Sequence, residues 1–166
     1  MKKVILTVVV VGLFVAAVAV PPAWSQDKSV NFSLNAGVQT NIWNGTSFDN
    51  AWFTLDLRVG IPLGTSWEIS PEVMYAVDDS FDFTWTNLYP GVLVNYKSGG
   101  FFVGAGIVLP IGFGDGESET ARLSPKINTG YDFGKLKLTA YFLILSDTGI
   151  RLFDMNQAGL TLGYKF

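Results

Sequence analysis

The chain has 166 residues, a mass of 18.1 kDa, a formal net charge of −3, no cysteine and no histidine. Charged residues make up 15% of it, against about 25% in an ordinary soluble domain, so few ionic groups are available to cover a wet surface. Because the chain has no cysteine, it has no thiol nucleophile and no disulfide scaffold, and because it has no histidine, it lacks the commonest general base and metal ligand. The negative charge argues against nucleic acid as a partner. We expect one domain with no catalytic residues, no metal site and no cofactor.

The first 25 residues have the features of a secretory signal peptide. A short basic start, Met1 to Lys3, precedes an apolar run over 4–20, which two prolines end. The sequence Ala-Trp-Ser at 23–25 places small residues at the two positions that a signal peptidase reads. We therefore predict a signal peptide over 1–25 and a mature domain over 26–166. A retained membrane anchor is the alternative, because the apolar run is at the short end of the range for a spanning helix.

Beyond the predicted signal peptide, apolar and polar residues alternate with a period of two. In the first such segment Phe32, Leu34 and Val38 share one parity and Asn31 and Asn35 the other, which puts the apolar groups on one face of a strand. The pattern recurs without a helical segment in between, so consecutive strands are most simply antiparallel. The eight predicted strands run over about 30–40, 53–61, 67–77, 85–96, 101–113, 122–133, 136–145 and 156–166.

Connections between the predicted strands alternate in length. Tight links follow the second, fourth and sixth strands, whereas longer polar loops follow the others. Short turns on one rim and long loops on the other are typical of outer-membrane barrels, and strands of this length, tilted by about 40°, match the ~25 Å apolar band of such barrels. The predicted fold class is all-β, an eight-stranded antiparallel up-and-down transmembrane β-barrel. Its predicted long loops are 43–51, 78–84, 114–121 and 146–155.

Two features favour a membrane barrel over a soluble β-sandwich, in which the charged face would be the outer one. Aromatic residues gather near strand ends, as interfacial girdles require, and glycines fall on the polar parity, where a narrow eight-stranded lumen needs small residues. The predicted girdle residues are Trp52, Phe53, Trp85 and Phe113 at the loop rim and Trp67, Tyr96, Phe101, Phe133, Tyr164 and Phe166 at the turn rim.

Four prolines within predicted strands fit a closed barrel poorly, because each lacks the N–H of a ladder hydrogen bond. We expect bulges or shortened strands at these positions, and a soluble or periplasmic sandwich stays open as an alternative. The four are Pro71, Pro90, Pro110 and Pro125.

Charged residues on the polar parity predict an ionic network inside the barrel. If the second hairpin turns at 63–64, Arg58 lies near Ser70 and Asp56 about opposite Glu72. Three carboxylates around one arginine need further cations, which the sixth predicted strand supplies. The predicted network consists of Asp56, Arg58, Glu68, Glu72, Arg122 and Lys126. It has two interpretations, a buried network that fills the barrel or a salt-bridge gate over a narrow pore.

Bulky residues of the same inward parity favour a closed lumen. They would obstruct a passage through eight strands. These residues are Met74, Tyr89, Leu93, Phe102, Val108, Tyr141 and Leu143.

The last predicted strand, AGLTLGYKF, carries a resemblance. Its apolar residues alternate up to a C-terminal aromatic. With the signal peptide, the strand count and the loop asymmetry, it resembles the small eight-stranded outer-membrane barrels of diderm bacteria, of the OmpA, OmpX or OmpW type. The resemblance implies a location in the bacterial outer membrane, outer-membrane lipid as a partner, and the barrel-insertion machinery as a partner during biogenesis. It also implies an insertion signal formed by Leu160, Leu162, Tyr164 and Phe166.

Two functions of different classes follow. The first is a structural or surface-interaction role for a largely plugged barrel, whose four long loops are candidate sites for surface ligands. The second is a narrow porin-like channel for small or hydrophobic solutes.

The predicted long loops are strongly acidic, with nine acids and one basic residue, Arg151. A solvated acidic surface is the favoured interpretation, because the spacing of the acids does not match that of an EF-hand calcium loop. The acids are Asp49, Asp78, Asp79, Asp82, Asp115, Glu117, Glu119, Asp147 and Asp154.

Overall fold

Ten β-segments form the molecule in a computed structural model that describes residues 30–42, 51–78, 85–114, 117–120, 122–145 and 156–166. The predicted signal peptide and most of the predicted loops 43–51, 78–84 and 146–155 lie outside the described residues. The predicted loop 114–121 was wrong over 117–120, because these residues form a strand that pairs with 111–114. The segments are β1 (Asn31–Ile42), β2 (Ala51–Leu63), β3 (Trp67–Asp78), β4 (Trp85–Ser98), β5 (Phe101–Val108), β6 (Ile111–Gly114), β7 (Glu117–Thr120), β8 (Ser124–Asp132), β9 (Leu136–Leu143) and β10 (Asn156–Lys165).

The ten segments make up eight strands of a closed antiparallel barrel. β5 and β6 both pair with β4 in one continuous register and form one barrel strand. β8 and β7 pair with these two segments and form the next. β1 pairs with β10, which joins the last strand to the first. The predicted fold, an eight-stranded antiparallel up-and-down β-barrel, is confirmed. No helix within the described ranges is long and apolar enough to span a membrane.

Proline interrupts the barrel at one of the predicted places. β5 ends at Val108 and β6 begins at Ile111, so Pro110 lies in the break, and β8 begins one residue before Pro125. Opposite the break, the Leu109 amide still donates to the Pro90 carbonyl at 2.8 Å. Pro90 has no N–H to return that bond. β3 and β4 nevertheless continue through Pro71 and Pro90. The prediction of shortened strands was therefore wrong at these two prolines.

Glycines at positive φ set the three tight turns. Gly64, Gly99 and Gly134 have φ of 70°, 61° and 93°, a left-handed backbone that side chains with a Cβ rarely adopt. Gly99 and Gly134 each begin a two-residue hairpin turn, for which a glycine at the first position is typical. The short connections therefore hold neighbouring strands in fixed register.

The outer wall is apolar. Leu57 and Leu162, for example, are 48% and 55% exposed, although both lie in the middle of strands that pair on both sides. This polarity is the reverse of that of a soluble sandwich, which buries its apolar face. The large exposed side chains along the strands include Phe32, Leu34, Val38, Leu55, Leu57, Val92, Val94, Val103, Ile107, Ile127, Leu138, Leu160 and Leu162.

Aromatic side chains pair around the turn rim. Trp67 contacts Tyr96 with ring centroids 5.2 Å apart, and Tyr164 contacts Phe166 at 5.3 Å. A third pair, Tyr131 and Phe133, lies at 4.7 Å. Five of the six residues predicted at this rim take part in these pairs. The sixth, Phe101, is exposed on the same wall, and Tyr131 was not predicted.

At the loop rim, the position of Trp52 differs from the prediction. This residue has inward parity on β2 and packs against the buried apolar cluster inside the barrel, so its assignment to the outer girdle was wrong. Its neighbour Phe53 is exposed on the outside. The side chain of Trp85 lies outside the described residues.

Candidate functional site

The interior of the barrel is the candidate site, because it collects the polar and charged side chains. Within the described part of the chain, eighteen polar or charged residues are buried on the inward parity of the strands, among them six charged residues of β2, β3, β8 and β9 with at most 4% exposure. A buried charge is tolerated only where it is paired and hydrogen-bonded. The interior must therefore hold a specific arrangement of partners.

Four residues form the central ionic cluster: Asp56, Arg58, Glu72 and Lys126. The Arg58 Nη2 atom lies 2.9 Å from Asp56 Oδ2 and 2.7 Å from Glu72 Oε2. Lys126 Nζ lies 2.5 Å from Glu72 Oε1. Glu72 thus bridges two cations from β2 and β8, across the barrel. Two cations and two carboxylates balance, which makes burial of the whole cluster tolerable.

Uncharged neighbours complete the central ionic cluster. The Asn35 amide on β1 donates to Asp56 Oδ2 at 3.2 Å. The ammonium of Lys126 lies 4.6 Å from the centroid of the Tyr141 ring, a cation–π arrangement. The cluster is therefore held from β1, β2, β3, β8 and β9, which together span more than half of the barrel wall.

The pairing within the second hairpin differs from the prediction by two residues. Arg58 pairs directly with Glu72, and Asp56 pairs with Met74. The predicted turn at 63–64 was wrong, because Leu63 pairs with Trp67 and the turn takes the three residues from Gly64 to Ser66. Register follows turn length, and this register brings Arg58 and Glu72 together across neighbouring strands.

Glu68 belongs to a second group at the turn end of the interior. It forms an ion pair with Lys97 and accepts a hydrogen bond from Ser70 Oγ at 2.9 Å. The amide of Asn95 donates to that Ser70 hydroxyl at 2.9 Å, and Asn128 donates to Asn95 at 3.0 Å. The chain of contacts therefore crosses from β3 through β4 to β8. Lys97 is half-buried at the rim, so this ion pair is partly hydrated.

Arg122 does not join the network. It is exposed and lies ahead of β8 rather than within a strand. The pairing explains this difference: two residues separate Val108 from Ile111, whereas three separate Thr120 from Ser124 on the facing strand. The extra residue breaks the alternation on which the inward assignment of Arg122 depended. The prediction that Arg122 belongs to the buried ionic network was therefore wrong.

Two interior lysines were missed. Lys97 pairs with Glu68, and Lys137 is buried with its ammonium 4.3 Å from the centroid of the Phe102 ring. Lys137 alternates with the exposed residues Leu136 and Leu138, so the same period-two pattern that placed Lys126 inside was present around it. These lysines supply the cations that Arg122 was expected to provide.

A third group lies at the loop end of the interior. Tyr141 donates to Gln39 at 2.9 Å, and Tyr89 donates to Gln157 at 3.1 Å. Next to these hydrogen bonds lies a buried apolar cluster formed by Met74, Ala76, Tyr89, Val108, Tyr141, Leu143 and Leu145. The seven bulky residues predicted to point inward are all buried inside the barrel, including Leu93 and Phe102, which lie outside this cluster.

Interior glycines make room for these side chains. A Cβ on Gly159 would overlap the Tyr141 ring, and one on Gly163 would overlap the Asn35 side chain. A Cβ on Gly130 would come within 2.5 Å of the Phe102 ring. Such contacts are shorter than van der Waals separation, so the inward parity of glycine reflects the width of the lumen.

The predicted insertion signal lies on the outer wall. Leu160, Leu162 and Tyr164 are exposed along β10, and Phe166 follows its end. The Phe166 amide donates to the Phe32 carbonyl at 2.9 Å.

No group of three or more His, Cys, Asp or Glu residues with metal-binding geometry occurs within the described ranges.

The chain is similar to small bacterial outer-membrane barrels of known structure. It matches the crystal structure of Neisserial surface protein A with a TM-score of 0.54 and 13% identity, over 82% of this chain and 94% of that one. The fold is that of a small eight-stranded barrel. The Yersinia pestis outer membrane protein Ail matches with a TM-score of 0.48 and 12% identity, over 83% of this chain and 100% of that one.

A designed transmembrane β-barrel also matches, with a TM-score of 0.48 and 16% identity, over 84% of this chain and 98% of that one. No protein-family model matches the chain, and no curated protein does.

Proposed function

We propose that this chain is an integral protein of the bacterial outer membrane, that its side chains close the lumen, and that it acts as a structural or surface-interaction protein through its long loops. The observation that carries this proposal is the polarity of the barrel. Leu55 and Leu160 are both 49% exposed on the outer wall, whereas Arg58 and Lys126 are buried inside. A closed barrel leaves no sheet edge, and an apolar outer band is what lipid requires.

The interior side chains support the closed lumen. Arg58, Tyr89, Phe102, Lys126 and Met74 are among the largest side chains with less than 2% exposure. They lie at several levels between the turn rim and the loop rim, in the central ionic cluster and the apolar cluster. An eight-stranded barrel is just wide enough for such side chains to fill.

Conductance separates a closed barrel from the narrow channel that is the alternative. In planar bilayers we expect the folded protein to give no unitary current steps, because the interior side chains occupy its cross-section. Insertion is checked independently by the difference in gel mobility between unheated and boiled samples. Arg58→Ala and Glu72→Ala test the interior, and Leu57→Ala, whose side chain is on the outer wall between Asp56 and Arg58, is the control. A reproducible current that changes in the interior variants but not in Leu57→Ala would support a channel instead.

The last strand is proposed to be read by the barrel-insertion machinery. Its outward pattern of Leu160, Leu162 and Tyr164, followed by Phe166, supports this role. Phe166→Ala is expected to lower severalfold the fraction of heat-modifiable, folded protein in cell membranes, without a comparable loss of folding into detergent micelles. Phe101→Ala, an exposed aromatic at the same rim, is the control. Equal losses for both variants, in cells and in micelles, would mean that Phe166 contributes only packing.

The loops are proposed as the site of contact with surface ligands. The support is the nine acids in and next to the loops, of which Asp78 lies at the loop-side end of β3 and Glu117 and Glu119 lie in β7. They would give this end of the barrel a negative surface and favour basic partners.

A further inference from the structure

Lys137 is a buried cation without a carboxylate partner. It alternates on β9 with the exposed residues Leu136 and Leu138, and it is itself only 4% exposed. None of the ion pairs within the described ranges includes it. A buried ammonium group without a counter-charge is unfavourable, because it has lost its hydration and gained no opposite charge.

The carboxylates that could pair with Lys137 are engaged by other groups. Asp132 is opposite Lys137 in the register of β8 and β9. Its Oδ2 atom, however, lies 2.5 Å from Lys165 Nζ, and its Oδ1 atom accepts from the Gly134 amide at 2.9 Å. From the central ionic cluster to the turn rim, the described strands carry one more inward-facing cation than carboxylates: Arg58, Lys97, Lys126, Lys137 and Lys165 against Asp56, Glu68, Glu72 and Asp132.

The side chain of Lys137 reaches a row of inward positions that crosses β5, β8, β9 and β10. In this row Gly130 pairs with both Phe102 and Thr139, and Thr139 pairs in turn with Thr161. The Phe102 ring extends over Gly130, because a Cβ there would come within 2.5 Å of it. Lys137 Nζ lies 4.3 Å from the centroid of that ring, so the ammonium is carried to the level of Thr139, two residues further along its own strand.

Two hydroxyl groups of this row have no partner. Thr139 and Thr161 are 0% and 2% exposed, and neither hydroxyl oxygen makes a hydrogen bond to the part of the chain that the structure describes. Directly opposite residues of neighbouring strands have Cβ atoms about 4.5–5.5 Å apart, so both hydroxyls can donate to one atom between them. A negatively charged acceptor at this place would satisfy both hydroxyls and pair with the ammonium.

Arg58 adds to the positive potential around Lys137. Among the charged groups it acts most strongly on the Lys137 ammonium, ahead of Glu68. Its Nη2 atom contacts two carboxylates, whereas its Nε and Nη1 atoms have no hydrogen-bond partner among the described residues. Two like charges that repel each other, beside donors that lack an acceptor, favour an anion here.

We propose that the barrel binds one halide ion on the Lys137 ammonium, and that Thr139 and Thr161 donate hydrogen bonds to it. A monatomic anion suits the site, because the three side chains are almost fully buried and a polyatomic oxyanion would have to displace them. Lys137 is the second residue of β9, so the ion enters from the turn end. This site depends on neither the membrane location nor the loops, because it lies inside the barrel.

Crystals of the full-length folded protein, grown in detergent with bromide in place of chloride, test for the ion directly through the anomalous scattering of bromine. We expect a bromide peak in contact with Lys137 Nζ and the two threonine hydroxyls in the wild type, and no peak in Lys137→Met. Lys135→Met, which removes an exposed lysine of the neighbouring turn, is the matched control and should keep the peak. A wild-type map without bromide at Lys137 would overturn the site, whether or not the variants fold.

Urea unfolding in detergent micelles measures the affinity, with chloride exchanged for gluconate at constant ionic strength. Each tenfold rise in chloride above the dissociation constant should raise the free energy of unfolding by about 1.4 kcal/mol in the wild type and Lys135→Met, and leave that of Lys137→Met unchanged. Thr139→Val, which keeps the shape but removes one donor, should need about tenfold more chloride for the same stabilisation. A wild type that does not respond to chloride would mean that Lys137 is neutral or hydrated, and an equal response in Lys137→Met would mean that chloride acts elsewhere; either result overturns the site.

Discussion

Glu72→Gln is expected to lower the free energy of unfolding by about 3–5 kcal/mol, the usual cost of breaking a buried ion pair. The substitution keeps the shape of the side chain but removes the charge that lies between Arg58 and Lys126. Asp56 then faces two buried cations alone. Urea unfolding of the barrel in lipid vesicles, followed by tryptophan fluorescence, measures the effect.

Glu68→Gln is the matched control, since it makes the same change on the same face of β3. Its partner Lys97 has a side chain that is 28% exposed, so water can solvate the cation once the carboxylate is gone. We expect a loss near 1 kcal/mol, close to the value for pairs that water can reach. Losses of equal size in the two variants would contradict the interpretation that the charges of the central ionic cluster are buried and depend on one another.

Removing both partners together gives a second check on this cluster. Glu72→Leu with Lys126→Met should cost less than the sum of the single substitutions, by roughly 0.5–3 kcal/mol, because no unpaired charge of this pair is then left inside. Additive losses would show that the two residues contribute independently.

Leu57→Arg is expected to destabilise the folded barrel in lipid vesicles by about 2–4 kcal/mol, the cost of a cation near the middle of a lipid-facing barrel wall. Leu57 is exposed on the outer wall between two inward residues of the central ionic cluster. Vesicle unfolding and the folded fraction on unheated gels measure the loss.

Leu136→Arg is the control for Leu57→Arg, because Leu136 is equally exposed but begins β9 at the turn rim. Near the interface the same change should cost about 0–1 kcal/mol. In a water-exposed wall, both arginines would change stability by less than about 0.5 kcal/mol. Two neutral variants would therefore favour a barrel whose outer wall faces water and contradict the membrane location.

The period-two pattern predicted the eight strands and the face of most of their residues, but it did not predict β7. Successive side chains of a strand point to opposite sides, so Asp56, Arg58 and Glu72 could be assigned to one face without any knowledge of their partners. The same rule applied to Lys137, which the prediction did not include although its apolar neighbours show the pattern.

The pairing of the charges was not predictable in the same way. The turn after β2 is centred one residue further along the chain than predicted, at Thr65, which moves the facing residue by two positions, and this decided that Arg58 faces Glu72. The break before β8 took Arg122 out of the alternation. Turn length and breaks depend on local backbone geometry, which residue polarity does not encode.

The low content of charged residues in the sequence agrees with where these residues lie in the structure. The sequence by itself determined that one face of each strand is apolar and the other polar, since that needs only the alternation of neighbours. Only the tertiary structure decided which face is inside and which cations meet which carboxylates. Closure of eight strands fixes both, because it brings residues far apart in sequence, such as Glu72 and Lys126, within 2.5 Å of each other.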